Sequence, residues 1–484
     1  MRQHFNLCPE LTSTPIEKIF LPLTSRDELP PILGGLQWLW NHPTLKPAVL
    51  QLLERRVLAN KQATGRPGMD LWQILVLGVV RLGLDANYDR LEDLANHHCL
   101  LRQMLGLPQT PWGDAPRRFT HQSLRDNVCL VDSPLLHEIN ALVAAAGRQV
   151  FTVGTPAPLA IKVDTYVLET DVHFPTDLNL LLDAGRKCLD LIEKYRDQYG
   201  YELPGWRKLA AWRARFKAAE RVASKAAFGG GKDKEKRVRA AVDDYLEVGQ
   251  QLALKVTASL LSLCDQPVDR ADWDSLAYFE QMLNKHLDLV DRRLLQGQTI
   301  PNAEKVFSLF EPHTEWITKG KLHPGVELGH RLLVATDQNS LVQDYDDLLD
   351  EVEVDQSVPV TDRLLGRYGE GSIASISFDK GFTRAADREL LRLYIPEVVM
   401  PKRGRKNEAE AAAESSKKFV ALRRQHSAVE SNIAALEHHG LDRCLDVGLE
   451  GYRRYVGYGV LAFNLHQIGR ELLARKRAVC ALAA

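Results

Sequence analysis

Two aspartates follow β-forming runs and so stand where a divalent cation could be held. Asp164 closes Leu159-Ala-Ile-Lys-Val-Asp164, and Asp379 closes Ser375-Ile-Ser-Phe-Asp379. A carboxylate just past a buried strand has a fixed backbone beneath it and open space above it, which is the setting a metal ligand needs. Either aspartate alone could equally cap the turn that follows. Asp337, in Val334-Ala-Thr-Asp-Gln338, also ends a β-like run and rivals Asp379 as the second acid. A third acid, Glu430, borders a helical stripe of Phe419, Leu422, Val429, Ile433 and Leu436. Arg423, His426 and Ser427 precede it on the same or an adjoining helical face, which makes a polar cluster against a sheet edge. By itself, Glu430 is ordinary for the boundary of an apolar stripe.

The elements that must position these acids alternate between helical and extended texture. From Asp70 to Leu107 apolar residues recur at helical spacing, in two segments separated around Gly83 to Asn87, after the turn-rich Thr64-Gly65-Arg66-Pro67-Gly68. This reads as a core-packing helical hairpin or as a DNA-reading helix-turn-helix. Near Pro156 the pattern turns extended, with two paired strands expected up to Phe174-Pro175. Leu178 to about Gln298 is again helical and predicts a large helical insertion. Extended segments return at Lys305–Phe310, Val326–Val342, Ile373–Asp379 and Glu397–Met400, and Asn407–His438 and Tyr452–Arg477 are helical. The expected organisation is a helical N-terminal region (1–150), the first part of an α/β core (151–177), a helical insertion (178–300), the rest of the core (301–440) and a helical C-terminal segment (441–484).

Composition narrows the class. A chain of 484 residues, 45% of them hydrophobic, can bury more than one core, so a disordered protein is excluded. The absence of an apolar run long enough for a membrane span, and of a signal-like start, predicts a soluble, cytoplasmic protein. The seven cysteines show no Cys-x-x-Cys spacing, against a zinc ribbon or a disulfide framework. A net charge of −1 gives no global argument for nucleic acid, so a DNA surface must come from local segregation. Between Gly205 and Arg239, twelve basic residues face three acidic ones, interleaved with Trp206, Trp212 and Phe216. That stretch reads either as a solvated helical face or as a phosphate-binding surface.

The C-terminal half closely resembles the transposases of bacterial insertion sequences of the ISNCY type, a branch of the DDE transposases. Three long strings carry the resemblance: Val306-Phe-Ser-Leu-Phe-Glu-Pro-His-Thr-Glu-Trp-Ile-Thr-Lys-Gly-Lys321, Ser377-Phe-Asp-Lys-Gly-Phe382 and Arg424-Gln-His-Ser-Ala-Val-Glu-Ser-Asn-Ile433. Gly440-Leu-Asp-Arg-Cys-Leu-Asp446 and Tyr452-Arg-Arg-Tyr455 add to them, and Thr64-Gly-Arg-Pro67 and Leu101-Arg-Gln-Met-Leu-Gly106 extend the similarity less specifically towards the front. The resemblance implies an RNase H-like mixed sheet with Asp164, Asp379 and Glu430 as a catalytic, metal-binding Asp-Asp-Glu triad. It also implies double-stranded DNA as the partner (terminal inverted repeats and target), action as a homo-oligomer and association with the nucleoid when bound. The wider signature of such enzymes has a Lys seven positions after the final Glu, where this chain has Glu437, and His426 stands where an Arg is expected.

Three convergent carboxylates repel one another, and divalent cations relieve that repulsion. Two Mg²⁺ ions, with Mn²⁺ able to substitute, about 3.5–4 Å apart would clamp the scissile phosphate and serve both cutting and strand transfer. Arg453, Arg454, Lys402, Arg403, Arg405 and Lys406 read as phosphate neutralisers or ordinary surface cations. His313, Trp316, Lys319 and Lys321 read as a loop near DNA or supporting the site, with Trp316 a buried residue rather than a base-stacking one. A tyrosine-recombinase reading through Tyr452, Tyr455 or Tyr458 is the weakest. The alternatives to a transposase are a catalytically inactive, transposase-derived DNA-binding protein and a two-metal nuclease without strand transfer.

Overall fold

A computed structural model describes residues 3–5, 13–59, 68–108, 119–152, 154, 157–203, 205–264, 266–318 and 325–483. Thr64–Pro67, Lys319 and Lys321 lie outside them. Two compact units result, Met1–Asp171 with Ile317–Ala484, and Val172–Trp316.

Among the described residues the first unit opens with α1 (Leu29–Asn41), α2 (Leu45–Val57), α3 (Leu71–Gly83), α4 (Tyr88–His97), α5 (Cys99–Met104), α6 (His121–Val128) and α7 (Ser133–Gly147). Their ends follow local chemistry. The Asn87 side chain accepts from the Arg90 amide at the start of α4, Thr120 and Ser123 form a capping box on α6, and Asp132 caps α7 ahead of Pro134. Nearly every residue of α3 is buried, and α4 presents Asp89, Glu92 and Asp93. The pair is therefore a core-packing hairpin with an acidic outer face, not a basic recognition helix. Among the described residues no single helix is long and apolar enough to cross a membrane.

Strand β1 (Leu159–Thr170) follows, and the second unit comes next with α8 (Asp177–Asp197), α9 (Leu209–Phe228), α10 (Lys234–Leu263) and α11 (Arg270–Val290) around its own core, in which Trp206, Phe216 and Tyr245 are buried. The chain then adds β2 (Glu315–Thr318), β3 (Val326–Thr336), β4 (Val342–Asp347), α12 (Ser357–Tyr368), β5 (Ile373–Phe378), α13 (Ala385–Leu391) and β6 (Glu397–Val399). It ends with α14 (Glu408–Ser415), α15 (Lys417–His426), α16 (Ala428–Leu436), β7 (Arg443–Cys444) and α17 (Leu449–Ala483).

The strands make one mixed sheet of order β2-β3-β1-β5-β6, with β4 also on β3 and β7 on the end of β1. Strands β1, β3 and β4 pair antiparallel, whereas β5 runs parallel to β1 and β6 parallel to β5. One face of the sheet, with Tyr166, Leu168, Leu332 and Val334, packs into the helical core built by the N-terminal helices and α17. The other, with Ile161, Val163, Ile376 and Phe378, packs with Val360 and Leu364 of α12. Alternation along each strand separates the two apolar sets.

Four sequence expectations need correction. Asp164 does not end a strand, and the two paired strands expected up to Phe174-Pro175 are one, because β1 runs on unbroken to Thr170, takes its antiparallel partner from β3, and Asp164 still ladders with Val334. No strand forms at Lys305–Phe310, where Val306 and Leu309 pack on the helical core of the second unit instead. The helix expected from Asn407 to His438 is broken at Ser416 and Ser427, which leaves Phe419 and Leu422 half-buried while Val429 and Leu436 are fully covered.

Candidate active site

The parallel β1–β5 pair brings two of the three acids together. Val163 is in register with Phe378, so Asp164 and Asp379 are the next residues on neighbouring strands. Strand β5 stops at Phe378 and β7 joins this side of β1 only at Glu169, so from Asp164 to Leu168 β1 has no ladder neighbour on this side and a gap in the sheet lies beside Asp164. This explains why Asp164 can occupy a strand interior, where an unpaired carboxylate is otherwise costly. Asp379 starts the short 3-10 turn Lys380–Phe382 and is exposed.

Glu430 arrives from above the sheet. Helix α15 packs on β5 and β6, α16 packs on β1, and Glu430 lies in the first turn of α16 after the break at Ser427. Burial pushes the Asp164 carboxyl up to about 7; the Thr165 amide, 2.8 Å away, opposes the shift, and the charges of Asp379, Glu353 and Glu430 reinforce it. The triad therefore shares one electrostatic site. Among the described residues its oxygens do not all fall within 4.8 Å of one another.

Asp337, the rival second acid, is engaged in contacts that close a turn. It follows β3 three ladder positions past the partner of Asp164, about 10 Å along the strand at ~3.3 Å per residue. Its Oδ1 accepts from the Asn339 and Leu341 amides and its Oδ2 from Gln343, which closes the β3–β4 turn. Its main-chain oxygen accepts from the Lys162 ammonium at 2.7 Å.

Two residues of the site were not singled out as chemical candidates by the sequence. Glu353, on the short turn Glu353–Asp355 after β4, accepts a hydrogen bond from the Thr165 hydroxyl at 2.6 Å, and its carboxylate fills the space a Cβ on Gly381 would take. It thereby touches the neighbours of both aspartates. Its sequence surroundings, Asp350-Glu-Val-Glu-Val-Asp355, read as a solvated acidic loop, and only the fold reveals the contact. His426 reads in the sequence as part of the polar cluster beside Glu430 and as a departure from the family pattern, with no chemical role of its own. Its Nδ1 lies 3.0 Å from the Ser377 hydroxyl, while its Nε2 is buried without a partner. A Ser377 hydroxyl proton directed to the Ile161 carbonyl, 3.3 Å away, would make Nδ1 the donor to Ser377 and leave Nε2 with a bare lone pair. Burial also lowers the proton affinity of this ring, against the charges of Asp379 and Glu430. Beside it, a cleft of about 330 Å³ is lined by Lys162, Ser375, Ser377, Leu422 and Gln425.

Of the other sequence candidates, Arg403 reaches the site, its guanidinium 3.7 Å from where a Cβ on Gly381 would stand, and those that follow fall elsewhere. Tyr452, Tyr455 and Tyr458 are buried, and the first two donate to the Leu168 and Gly440 carbonyls, so none is available as a nucleophile. Lys402 and Lys406 pair with Glu410 and Glu414, and Arg453 pairs with Asp347. His313 pairs with Glu311, and Trp316, expected buried, is 37% exposed against Phe174 and Phe307. In the basic segment, Trp206 and Phe216 are core residues, and Arg213 pairs with Asp190 and Glu193. Lys217, Arg221 and Lys225, spaced by four along α9, are exposed.

Comparison of the chain with protein-family models, with curated proteins and with solved structures gives no match.

Proposed function

We propose that the chain is a DNA transposase that cleaves transposon ends and joins their 3′-hydroxyls to target DNA at Asp164, Asp379 and Glu430. The observation that carries this reading is the register of β1 on β5, which sets Asp164 beside Asp379 under the first turn of α16. Supporting it, three antiparallel strands continued on the far side of β1 by two parallel ones are the arrangement of an RNase H-like core, with the first acid on its central strand.

The donor set is all oxygen and suits Mg²⁺ or Mn²⁺, and burial, with the neighbouring acids adding to it, pushes the Asp164 carboxyl up to about 7, a cost that a bound cation would relieve. Asp164, Asp379 and Glu430 would hold two such ions. Bound there, the ions supply Lewis acidity that activates water or a 3′-hydroxyl and stabilises the leaving oxygen. The protein's own residues fix the acids. Thr165 orients Asp164 through its amide and Glu353 through its hydroxyl, and His426 braces α15 against Ser377. No side chain need become covalently attached to DNA.

The test is incubation of the full chain with Mg²⁺ and duplex DNA bearing the sequences that flank its own coding region. The expected products are 3′-hydroxyl ends and their joined form, reduced about 10³-fold or more in D164N, D379N and E430Q. Cleavage without joining would identify a two-metal nuclease. Binding without metal-dependent cleavage, or cleavage undiminished in D164N, would overturn the catalytic assignment.

A further inference from the structure

A second cluster of ligand-type side chains lies outside the triad. Glu28 precedes α1, His439 lies in the wide turn Glu437–Leu441 between α16 and β7, and His466 is on α17. One ligand atom from each falls within 4.8 Å of the others, and these are the only three His, Cys, Asp or Glu residues so grouped among the described ones. Glu28 Oε2 is 2.7 Å from His466 Nε2, and the two imidazoles lie 4.7 Å apart between centroids.

The surroundings prepare the rings for a metal. His439 Nδ1 is 3.3 Å from the Gly83 carbonyl at the end of α3, and a carbonyl can only accept. The Nδ1–H tautomer is therefore held and Nε2 is left with its lone pair, the orienting arrangement found behind metal-bound histidines. His466 is 5% exposed, and its Nδ1 is buried with no partner, so one nitrogen of this ring is unused. Arg470, a turn further along α17, bonds Gln467 instead of Glu28.

We propose that Glu28, His439 and His466 form a Zn²⁺ site, with water completing a four-coordinate sphere. Two imidazoles and one carboxylate are a donor set that Zn²⁺ favours over Mg²⁺. The metal replaces the proton now shared between His466 Nε2 and Glu28, and that proton moves to Nδ1. A filled site fastens the start of α1, the turn after α16 and α17 to one point, so it fixes the segment that follows the helix carrying Glu430. The site is independent of any DNA chemistry.

The test is titration of metal-free full-length protein with Co²⁺, followed by displacement with Zn²⁺. The expected result is one equivalent with the visible bands of four-coordinate Co²⁺ and no thiolate charge-transfer band, together with a higher melting temperature on adding Zn²⁺. E28Q and H439Q should each weaken the site about tenfold or more while D164N keeps it. Because a glutamine oxygen can still accept from His466 Nε2–H, E28Q should shift the metal-free melting curve little while removing the carboxylate ligand, which separates lost ligation from lost folding. No stoichiometric binding, a thiolate band, or binding that survives both E28Q and H439Q would overturn the assignment.

Discussion

The Thr165 hydroxyl donates to the Glu353 carboxylate across 2.6 Å, joining a strand residue to a turn 188 positions later, directly beside Asp164. Glu353 is thus one of three acids whose charge raises the proton affinity of Asp164. E353Q should lower the Asp164 midpoint below about 7 while keeping the Thr165 contact, as read by carboxyl-carbon NMR. G381A should expel the Glu353 carboxylate and reduce metal-dependent cleavage by roughly tenfold to a hundredfold, as loss of an orienting partner does. An unmoved Asp164 midpoint in E353Q would show that Glu353 plays no electrostatic part.

Asp164 also sets a pH dependence of stability. Its folded-state affinity for protons exceeds that of the unfolded chain, so the native state binds the extra proton between about pH 4 and 7. Metal-free protein should therefore lose stability as pH rises through that window, by roughly 2–4 kcal/mol as an upper range. D164N should flatten this slope and melt higher than the parent at pH 8. Added Mg²⁺ should restore the parent's stability at that pH without helping D164N. Parallel melting profiles for the two proteins from pH 4 to 8 would refute the account.

The Ser377–His426 contact makes a spectroscopic prediction. Nitrogen shifts of labelled histidine should show His426 as the neutral Nδ1–H form at pH 7, and S377A should release it into a mixture of tautomers. H426A should slow cleavage by roughly tenfold to a hundredfold. An Nε2–H tautomer in the parent protein would contradict the geometry.

Lys217, Arg221 and Lys225 share one exposed side of α9. Replacing all three by Glu should weaken duplex binding at least about tenfold in 0.1 M salt and reduce the salt slope by about 0.9 for each phosphate contact removed. An unchanged slope would mark this helix as a solvated face.

The strand that ends at Asp379 was legible because Ile373–Phe378 alternates and is closed by an acid and a glycine. The other acid misled. A charge in mid-run looks like a terminator, and only the ladder with β3 shows that β1 passes through Asp164 and opens beside it where β5 stops. Lys305–Phe310 carries the same apolar texture as a strand, but texture cannot tell a laddered segment from a loop lying on helices. Glu353 was illegible for a different reason: its meaning lies in a contact with Thr165 and a close approach to Gly381, neither of which leaves a local pattern.

The long central strand has a consequence for synthesis. Its antiparallel partner begins about 150 residues after β1 ends, with the whole second unit between them. At about 5–20 residues per second, the ribosome leaves β1 waiting roughly 8–30 s for β3, and longer for β5. Throughout that interval Leu159, Ile161, Val163, Val167 and Leu168 form an unpaired apolar edge, open to any other nascent strand. The polar Lys162, Asp164 and Thr165 break up that edge and so guard the chain while it is being made.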